Sequence, residues 1–405
     1  MINVIGLGYI GLPTALIFAS KEIKVIGTDF NESLVDKLNE GVLTFEEKGL
    51  IELFNEAVRK GITFTSEYQK SDIYLVTVPT PYDKITKKID PTYVISAVKS
   101  ILEKCDNEAI IIIESTVSPG TIDRYIRPLL KGDEKNYKKI HLVHAPERII
   151  PGNMIYELAH NSRTIGADSR DIGEKIGRLY KKITDGDVII TDIKTAEMTK
   201  VVENTFRAVN IAFANELAKI CRYDNLNVHE IIRICNMHPR VKILNPGPGV
   251  GGHCIPVDPW FLVGDYPLLT EVISKSLEVN ESMPNYVLNR ITQIMKENNI
   301  TDSSRVGIYG LTYKENVDDY RESPSLQLLE SQSNHLGVPL KSFDPWIKYK
   351  IVENQVFDFN QFLENIDIVV VMVKHNHLLK NLDKLNDKII FDTQNIIDDR
   401  KTYKL

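Results

Sequence analysis

Six residues near the start of the chain, Gly6-Leu7-Gly8-Tyr9-Ile10-Gly11, constrain its fold more than any other segment. They follow the apolar run Ile2 to Ile5 and precede residues 12–20, a predicted helix with Pro13 near its first turn. A glycine triplet alone says little. Between a strand and a helix it is the fingerprint of a dinucleotide-binding βαβ unit. Gly6 makes the tight turn, Gly8 admits a pyrophosphate to the backbone, and Gly11 lets the helix pack against its strand. A second apolar run, Lys24-Val25-Ile26-Gly27-Thr28, ends at Asp29, eighteen residues beyond Gly11. That carboxylate is placed to accept hydrogen bonds from an adenosine ribose and to repel a 2′-phosphate, which predicts NAD rather than NADP.

A chain of 405 residues exceeds one ordinary core and implies two or three domains. The formal charge of −6 and pI near 5.9 leave no basic footprint, so nucleic acid is not an expected partner. The first residues already read as a strand, with no leader pattern, and apolar runs such as 109–113 and 368–373 are strand-sized. We therefore expect a soluble cytoplasmic protein with no membrane segment. Cys105, Cys221, Cys235 and Cys254 are widely spaced, with no CxxC pair, which predicts neither a disulfide framework nor a metal site.

Strand and helix patterns alternate up to about residue 193. Strand candidates at 73–78, 109–115 and 140–144 are each followed by turn residues and a helix-compatible segment. This predicts an α/β fold with a doubly wound parallel sheet, whose ligands gather at the carboxyl ends of the strands. Val78-Pro79-Thr80-Pro81 and Glu114-Ser115-Thr116-Val117-Ser118-Pro119-Gly120 fall at such ends. Residues 194–300 read as nearly all helix, led by a long one over 195–222 that suits a domain connector or a dimer seam. From 301 to 405 alternation resumes, with strands at 305–309, 340–343, 368–373 and 388–391 and a helix over 324–336. The expected architecture is a Rossmann domain at 1–193, a helical middle at 194–300 and a second Rossmann-like domain at 301–405.

Glu197, Lys200 and Asn204 sit at helical spacing and can share one face, where an ammonium and an amide could stabilise a developing oxyanion. The competing reading is a solvated helix surface with an ordinary charge pair. Cys254 ends the run Asn245-Pro246-Gly247-Pro248-Gly249-Val250-Gly251-Gly252-His253-Cys254 and is followed four residues later by Asp258. A thiol on a turn or at a helix start meets backbone N–H groups that favour the thiolate, although many lone cysteines are merely small buried side chains. A nicotinamide site together with a glycine-framed thiol points to oxidation of an alcohol all the way to an acid.

Four blocks carry a resemblance: Gly6-Leu7-Gly8-Tyr9-Ile10-Gly11-Leu12-Pro13, Glu197-Met198-Thr199-Lys200-Val201-Val202-Glu203-Asn204, the glycine run ending at Cys254, and Gly310-Leu311-Thr312-Tyr313-Lys314-Glu315-Asn316-Val317-Asp318-Asp319-Tyr320-Arg321-Glu322-Ser323-Pro324. In this order, over nearly the whole chain, they resemble the UDP-sugar dehydrogenase family. Ala145-Pro146-Glu147-Arg148-Ile149-Ile150-Pro151-Gly152 and His238-Pro239-Arg240-Val241 are similar to its branch acting on 2-acetamido sugars; the glucose branch usually carries Phe-Leu after the Pro-Glu pair.

The resemblance implies an N-terminal NAD domain, a helical middle that pairs subunits into a homodimer or a multiple of one, and a C-terminal domain for the UDP half. It also implies roles. Cys254 would be the nucleophile, Lys200 and Asn204 would stabilise oxygen charge, Asp258 would orient Lys200 or water, and Glu147 and Thr116 would assist and position the water. The cofactor would meet Gly6, Gly8, Tyr9, Ile10, Gly11, Asp29, Pro79, Thr80, Thr116 and Arg321. The substrate would meet Glu147, Arg148, Ile149, Lys200, Asn204 and Arg207, then His238, Arg240, Asn245, Gly247, Gly249 and Gly251, and finally Tyr313 and Lys314. Glu147 and Arg321 have a structural alternative as members of ion pairs. Glu315 stands where the family often has proline, and Tyr320 where an aliphatic residue is usual, which puts the rigidity of that loop in question. Two rivals remain: a two-electron dehydrogenase with no need of Cys254, and a non-catalytic nucleotide-sugar sensor.

Overall fold

The computed structural model describes residues 1–106, 108–131, 139–332, 340–397 and 402–405. The chain divides into two compact units, one of Met1–Glu203 with Trp260–Pro267 and one of Asn204–Pro259 with Leu268–Leu405. The boundary falls within the helix Ile193–Tyr223, the long helix expected over 195–222.

The first unit is built on an eight-stranded sheet of β1 (Ile2–Ile5), β2 (Val25–Thr28), β3 (Thr63–Thr65), β4 (Ile73–Val76), β5 (Glu108–Ile113), β6 (Lys139–His144), β7 (Arg163–Ala167) and β8 (Val188–Thr191), in the order β3-β2-β1-β4-β5-β6-β7-β8. The first six strands are parallel and follow the doubly wound order. Their sequences show why: β5 reads Glu-Ala-Ile-Ile-Ile-Ile, a continuous apolar run covered on both faces rather than an alternating one. The helix Gly11–Ser20 is likewise buried over all but its last residue. Each of its large side chains, Leu12, Leu16, Ile17 and Phe18, contributes about 1.5–3 kcal/mol by leaving water.

At one edge the direction changes. β7 runs antiparallel to β6, pairing Val143 with Ala167 and His144 with Gly166, and β8 follows β7 in parallel. The connection from β6 holds only the seven-residue helix Met154–His160, rising about 10 Å. It turns the chain back at the carboxyl edge instead of returning it to the amino edge. Continued outward, that register sets Arg163 opposite Glu147.

In the second unit the helices Val228–Cys235 and Glu271–Glu297 pack with the later part of Ile193–Tyr223; residues 238–257 between them carry no regular element. The middle region is therefore less helical than expected. The six-stranded sheet comprises β9 (Val306–Tyr309), β10 (Lys341–Phe343), β11 (Gln355–Val356), β12 (Ile368–Val371), β13 (Ile389–Asp392) and β14 (Tyr403–Lys404). Its order β11-β10-β9-β12-β13-β14 repeats the order of the first six strands, and every pairing is parallel. The helix predicted over 324–336 is observed as Pro324–Gln332; residues 333–336 lie outside the described residues. No described helix is long and apolar enough to cross a membrane.

Candidate active site

In the first unit the glycine loop closes as its spacing requires. Gly6 has φ +92°, and a Cβ there would lie 2.9 Å from Thr77 O. A Cβ on Gly11 would meet Gly6 O at 1.8 Å, so only glycine permits that helix entry. Gly8 instead faces open space, with nothing within 4 Å of its would-be Cβ. The helix Gly11–Ser20 starts without a side-chain cap and without an acidic residue in its first turn, leaving its N–H groups for an anion. Asp29 accepts hydrogen bonds from Leu7 N–H at 2.7 Å and Asn31 N–H at 2.9 Å, which places the acid beside the loop. The Tyr9 ring lies 4.4 Å from that of Phe45, tilted by 31°, and the flanking Ile10 is the helix N-cap. An open glycine, an uncapped helix start and an adjacent carboxylate fit a dinucleotide. Thr77, not singled out from the sequence, ties the turn by donating to Ile5 O at 2.9 Å and Gly6 O at 2.7 Å.

At the neighbouring strand ends, Thr80 donates to Thr116 O at 2.7 Å, while Pro79 is exposed. Glu197, Lys200 and Asn204 are all buried, so their face of the helix is not a solvated one. Glu197 accepts N–H bonds from Gly120 and Ile122 and clamps that loop. Burial pushes its pKa up to about 7 against those two hydrogen bonds. Among the described residues of the first unit, Lys200 takes part in no ion pair.

Glu147 lies in a cluster that no local spacing announces. Its carboxylate accepts from Arg148 N–H at 2.6 Å and touches the guanidinium of Arg163, which also reaches Glu114 at 3.2 Å. Tyr180 donates to the same Glu114 oxygen at 3.2 Å. All four side chains are buried. Burial pushes Glu114 up to about 8, opposed by the charge of Arg163 and reinforced by Glu147. Glu147 thus occupies the ion-pair arrangement that was the alternative to a role as base. Arg148 is engaged by Ser162 O, Thr164 and Glu203, and Ile149 packs on the apolar core.

In the second unit Cys254 occupies the turn before the helix Asp258–Asp265; its carbonyl accepts the N–H of Val257 at 3.1 Å and of Asp258 at 2.8 Å. It is half-buried and not disulfide-bonded, with Sγ 3.4 Å from His253 Nδ1. Asp258 accepts from Asn204 Nδ2 at 2.6 Å, a buried bond across 54 residues of sequence that fastens the helix amide to the end of the cysteine turn. Asp258 is therefore a partner of Asn204.

The glycine run is shaped around the third block. A Cβ on Gly251 would meet Tyr313 Cβ at 2.6 Å, and one on Gly252 would meet the Tyr313 ring at 2.9 Å. Gly249 lies against Pro324, and Gly252 N–H donates to Arg321 O at 2.9 Å. Gly247 N–H donates to Asn215, which bonds Asn280 in a buried amide network. Arg321 forms a forked pair with Asp319, with bonds of 2.9 and 2.6 Å, taking up its ion-pair alternative. Arg207, His238, Arg240 and Asn245 are exposed, and Lys314 is partly so. Among the described residues no group of three or more His, Cys, Asp or Glu is placed to hold a metal ion.

Comparison with known proteins agrees with this geometry. Three models of one family match in order: the NAD binding domain of the UDP-glucose/GDP-mannose dehydrogenase family over residues 1–184, its central domain over 194–282 and its UDP binding domain over 307–399. A UDP-N-acetyl-D-mannosamine dehydrogenase of Methanococcus vannielii is 40% identical, over 98% of this chain and 93% of its own. An NDP-N-acetyl-D-galactosaminuronic acid dehydrogenase of Ralstonia nicotianae is 39% identical, over 97% and 95%. Among solved structures, a UDP-N-acetyl-mannosamine dehydrogenase from S. aureus is similar with a TM-score of 0.88 at 38% identity, covering 100% of this chain and 98% of that one.

Proposed function

The chain belongs to the UDP-glucose/GDP-mannose dehydrogenase family and is an oxidoreductase, and from that premise we propose that it oxidises the C6 hydroxyl of UDP-N-acetyl-D-mannosamine to the carboxylate. Similarity to 2-acetamido-sugar dehydrogenases and the Glu147-Arg148-Ile149 and His238-Pro239-Arg240 segments support this sugar class. The observation that carries the reaction type is the Asn204–Asp258 bond, which secures a helix-borne amide at the end of the Cys254 turn.

NAD, when bound, accepts one hydride in each of two oxidations. The first takes a hydride from C6 while the hydroxyl proton passes to water, and it leaves an aldehyde at C6. The Cys254 thiolate adds to it and forms the S–C6 bond of a thiohemiacetal, whose oxygen takes the negative charge. The Asn204 amide and the Lys200 ammonium stabilise that oxygen. The second oxidation removes the C6 hydrogen as hydride and leaves a thioester. Water then adds to the carbonyl, the S–C6 bond breaks, and the thiolate leaves while the acid loses its proton. Thr116 positions that water, and Glu147 serves as base on release from Arg163.

Arg207, Arg240, Lys314 and Asn245 are assigned to the nucleotide diphosphate and sugar, and Tyr313 with Gly247, Gly249 and Gly251 to the walls around them. In the first unit Asp29 selects NAD. Four residues of the long helix, Val202, Phe206, Phe213 and Ile220, leave an exposed apolar stripe, with Phe206 67% exposed. Its spacing supports a homodimer seam, which light scattering checks. A nucleotide-sugar substrate and NAD place the work in the cytoplasm.

The deciding experiment measures NADH release against UDP-N-acetylmannosamine, UDP-N-acetylglucosamine, UDP-N-acetylgalactosamine and UDP-glucose. We expect the mannosamine sugar to give the highest kcat/KM, with two NADH per sugar. A higher kcat/KM for UDP-glucose would overturn the sugar class, and one NADH per sugar would overturn the cysteine route.

A further inference from the structure

The two parallel sheets match residue by residue. In the first, Ile5 pairs with Thr28 on one side and Val76 on the other; in the second, Tyr309 pairs with Phe343 and Val371. One step beyond these strand ends, Gly6 corresponds to Gly310, and both have positive φ, +92° and +95°. Gly6 N–H donates to Thr28 O at 2.8 Å and Gly310 N–H to Phe343 O at 2.9 Å. Asp29 then corresponds to Asp344. Asp29 accepts from Leu7 N–H and Asn31 N–H at 2.7 and 2.9 Å; Asp344 accepts from Leu311 N–H and Trp346 N–H at 2.6 and 2.8 Å.

Beside the acid the correspondence breaks. Four residues past Val76 and Val371, the ends of β4 and β12, the first unit has Thr80 and the second has His375. His375 is fully buried, and its Nδ1 accepts Asn316 N–H at 3.0 Å. The ring proton therefore sits on Nε2, which lies 3.2 Å from Asp344 Oδ2 and 3.2 Å from Thr312 Oγ1. The acid that the first unit leaves half-open beside its glycine loop is capped in the second by an internal donor.

The bonds made here close on one loop. Leu311 N–H and Thr312 N–H hang on Asp344, the latter at 3.0 Å; Asn316 N–H hangs on His375; and Thr312 Oγ1 donates to Lys314 O at 2.9 Å. Tyr313 and Lys314 stand between these anchors. We propose that Asp344 and His375 are positioning residues that hold the Thr312–Asn316 loop in its nucleotide-binding shape, so that Lys314 meets the UDP diphosphate without an ordering cost. This inference rests on the UDP-sugar reading above.

The test compares wild type, His375→Ala and His375→Gln by calorimetric titration with UDP and with NAD, and by kcat and KM for the nucleotide sugar. His375→Ala should weaken UDP binding and raise KM about tenfold, with kcat within about twofold and NAD affinity unchanged. His375→Gln keeps an N–H donor toward Asp344 and should recover most of the loss. Unchanged UDP affinity in a folded His375→Ala protein, or a parallel loss of NAD affinity, would overturn the proposal. Amide exchange of the wild-type protein needs no variant to fold: Leu311, Thr312 and Asn316 should be protected before UDP is added, and free exchange there would refute the pre-set loop. If wild-type protein fails to bind UDP at all, the substrate reading itself falls.

Discussion

The two sheets share a strand order, a turning glycine and an acid after the second strand, yet they treat a nucleotide differently. In the first unit the helix begins five residues after Gly6, and Gly8 faces open space, so the loop presents bare backbone. In the second, the helix begins at Pro324, fourteen residues after Gly310; the place of Gly8 is taken by buried Thr312, and the acid is bonded to His375. One fold thus yields a crevice that receives a dinucleotide and a filled one whose long loop carries Tyr313 and Lys314 instead. Strand order does not decide the ligand; the few side chains at the strand ends do.

The largest expected effect tests whether chemistry and nucleotide binding are separable between the units. Cys254→Ala removes the atom that carries the aldehyde in the proposed route, so acid formation should fall by about 10³-fold or more, as when a covalent nucleophile is deleted. NAD and UDP should each bind as before, because the substitution removes only the sulfur and leaves the glycine loop and the packing of Gly251 and Gly252 on Tyr313 in place. Acid production at the wild-type rate would reduce Cys254 to a packing residue and favour a two-electron enzyme.

Next comes the glycine that distinguishes the crevices. Gly8→Ala places a methyl where no atom lies within 4 Å and where φ is ordinary, so stability should stay within about 0.5 kcal/mol. NAD affinity should nevertheless fall about 10- to 100-fold if the pyrophosphate approaches the backbone at Gly8, as proposed. Gly11→Ala, whose Cβ meets Gly6 O at 1.8 Å, should destabilise the fold by about 3 kcal/mol. If Gly8→Ala binds NAD normally, the crevice is not where the cofactor lies.

These glycines, and Asp29 after them, were legible in the sequence because their geometry is local. A turn, a helix entry and an acid at fixed spacing need no knowledge of distant residues. The same holds for β5, for the long helix and for the turn at Cys254. What the sequence hid depends on contacts that only the assembled sheets create. Arg163 reaches Glu147 because β7 returns antiparallel to β6, and a parallel sheet would not have set them opposite. Asp258 finds Asn204 across 54 residues, and His375 finds Asp344 through the register of β9, β10 and β12.

A smaller effect sharpens the comparison of the two acids. Asp29 keeps a solvent-facing side, so it can pair with ribose hydroxyls and repel a 2′-phosphate; Asp344, capped, can do neither. Wild type should prefer NAD over NADP by about 10²-fold in kcat/KM, and Asp29→Asn, which keeps an acceptor for Leu7 N–H, should narrow the ratio about tenfold. Equal use of NADP by the wild type would strip Asp29 of its role.

The smallest effect is a difference in sign. Glu114 in the first unit is pushed up to about 8 by burial, against the charge of Arg163, and Glu197 up to about 7, again by burial. Asp344 in the second unit is also opposed by burial, but the His375, Trp346 and Leu311 hydrogen bonds outweigh it and hold its carboxyl below 3.8. A raised carboxyl gives stability that is complete below its ordinary 4.5 and is lost as pH rises through the folded value. A lowered one gives stability present above 3.8 that is lost as pH falls through its folded value. His144, held down at about 3 by burial, works against the glutamates only between 3 and its ordinary 6.5. Above pH 6.5 the glutamates act alone. Amide exchange at pH 6.5 and 8.5, corrected for intrinsic rates, should therefore show β5 and β7 losing protection while β9 and β10 hold theirs. Glu114→Gln, close in shape to the protonated acid, should match wild type below about pH 4.5, be the more stable of the two at neutral pH, and flatten most of that slope, with Glu197 supplying what remains. If β5 and β7 are equally protected at both pH values, or Glu114→Gln keeps the full slope, the buried proton is not on Glu114, and the contrast between the two units reduces to their strand ends.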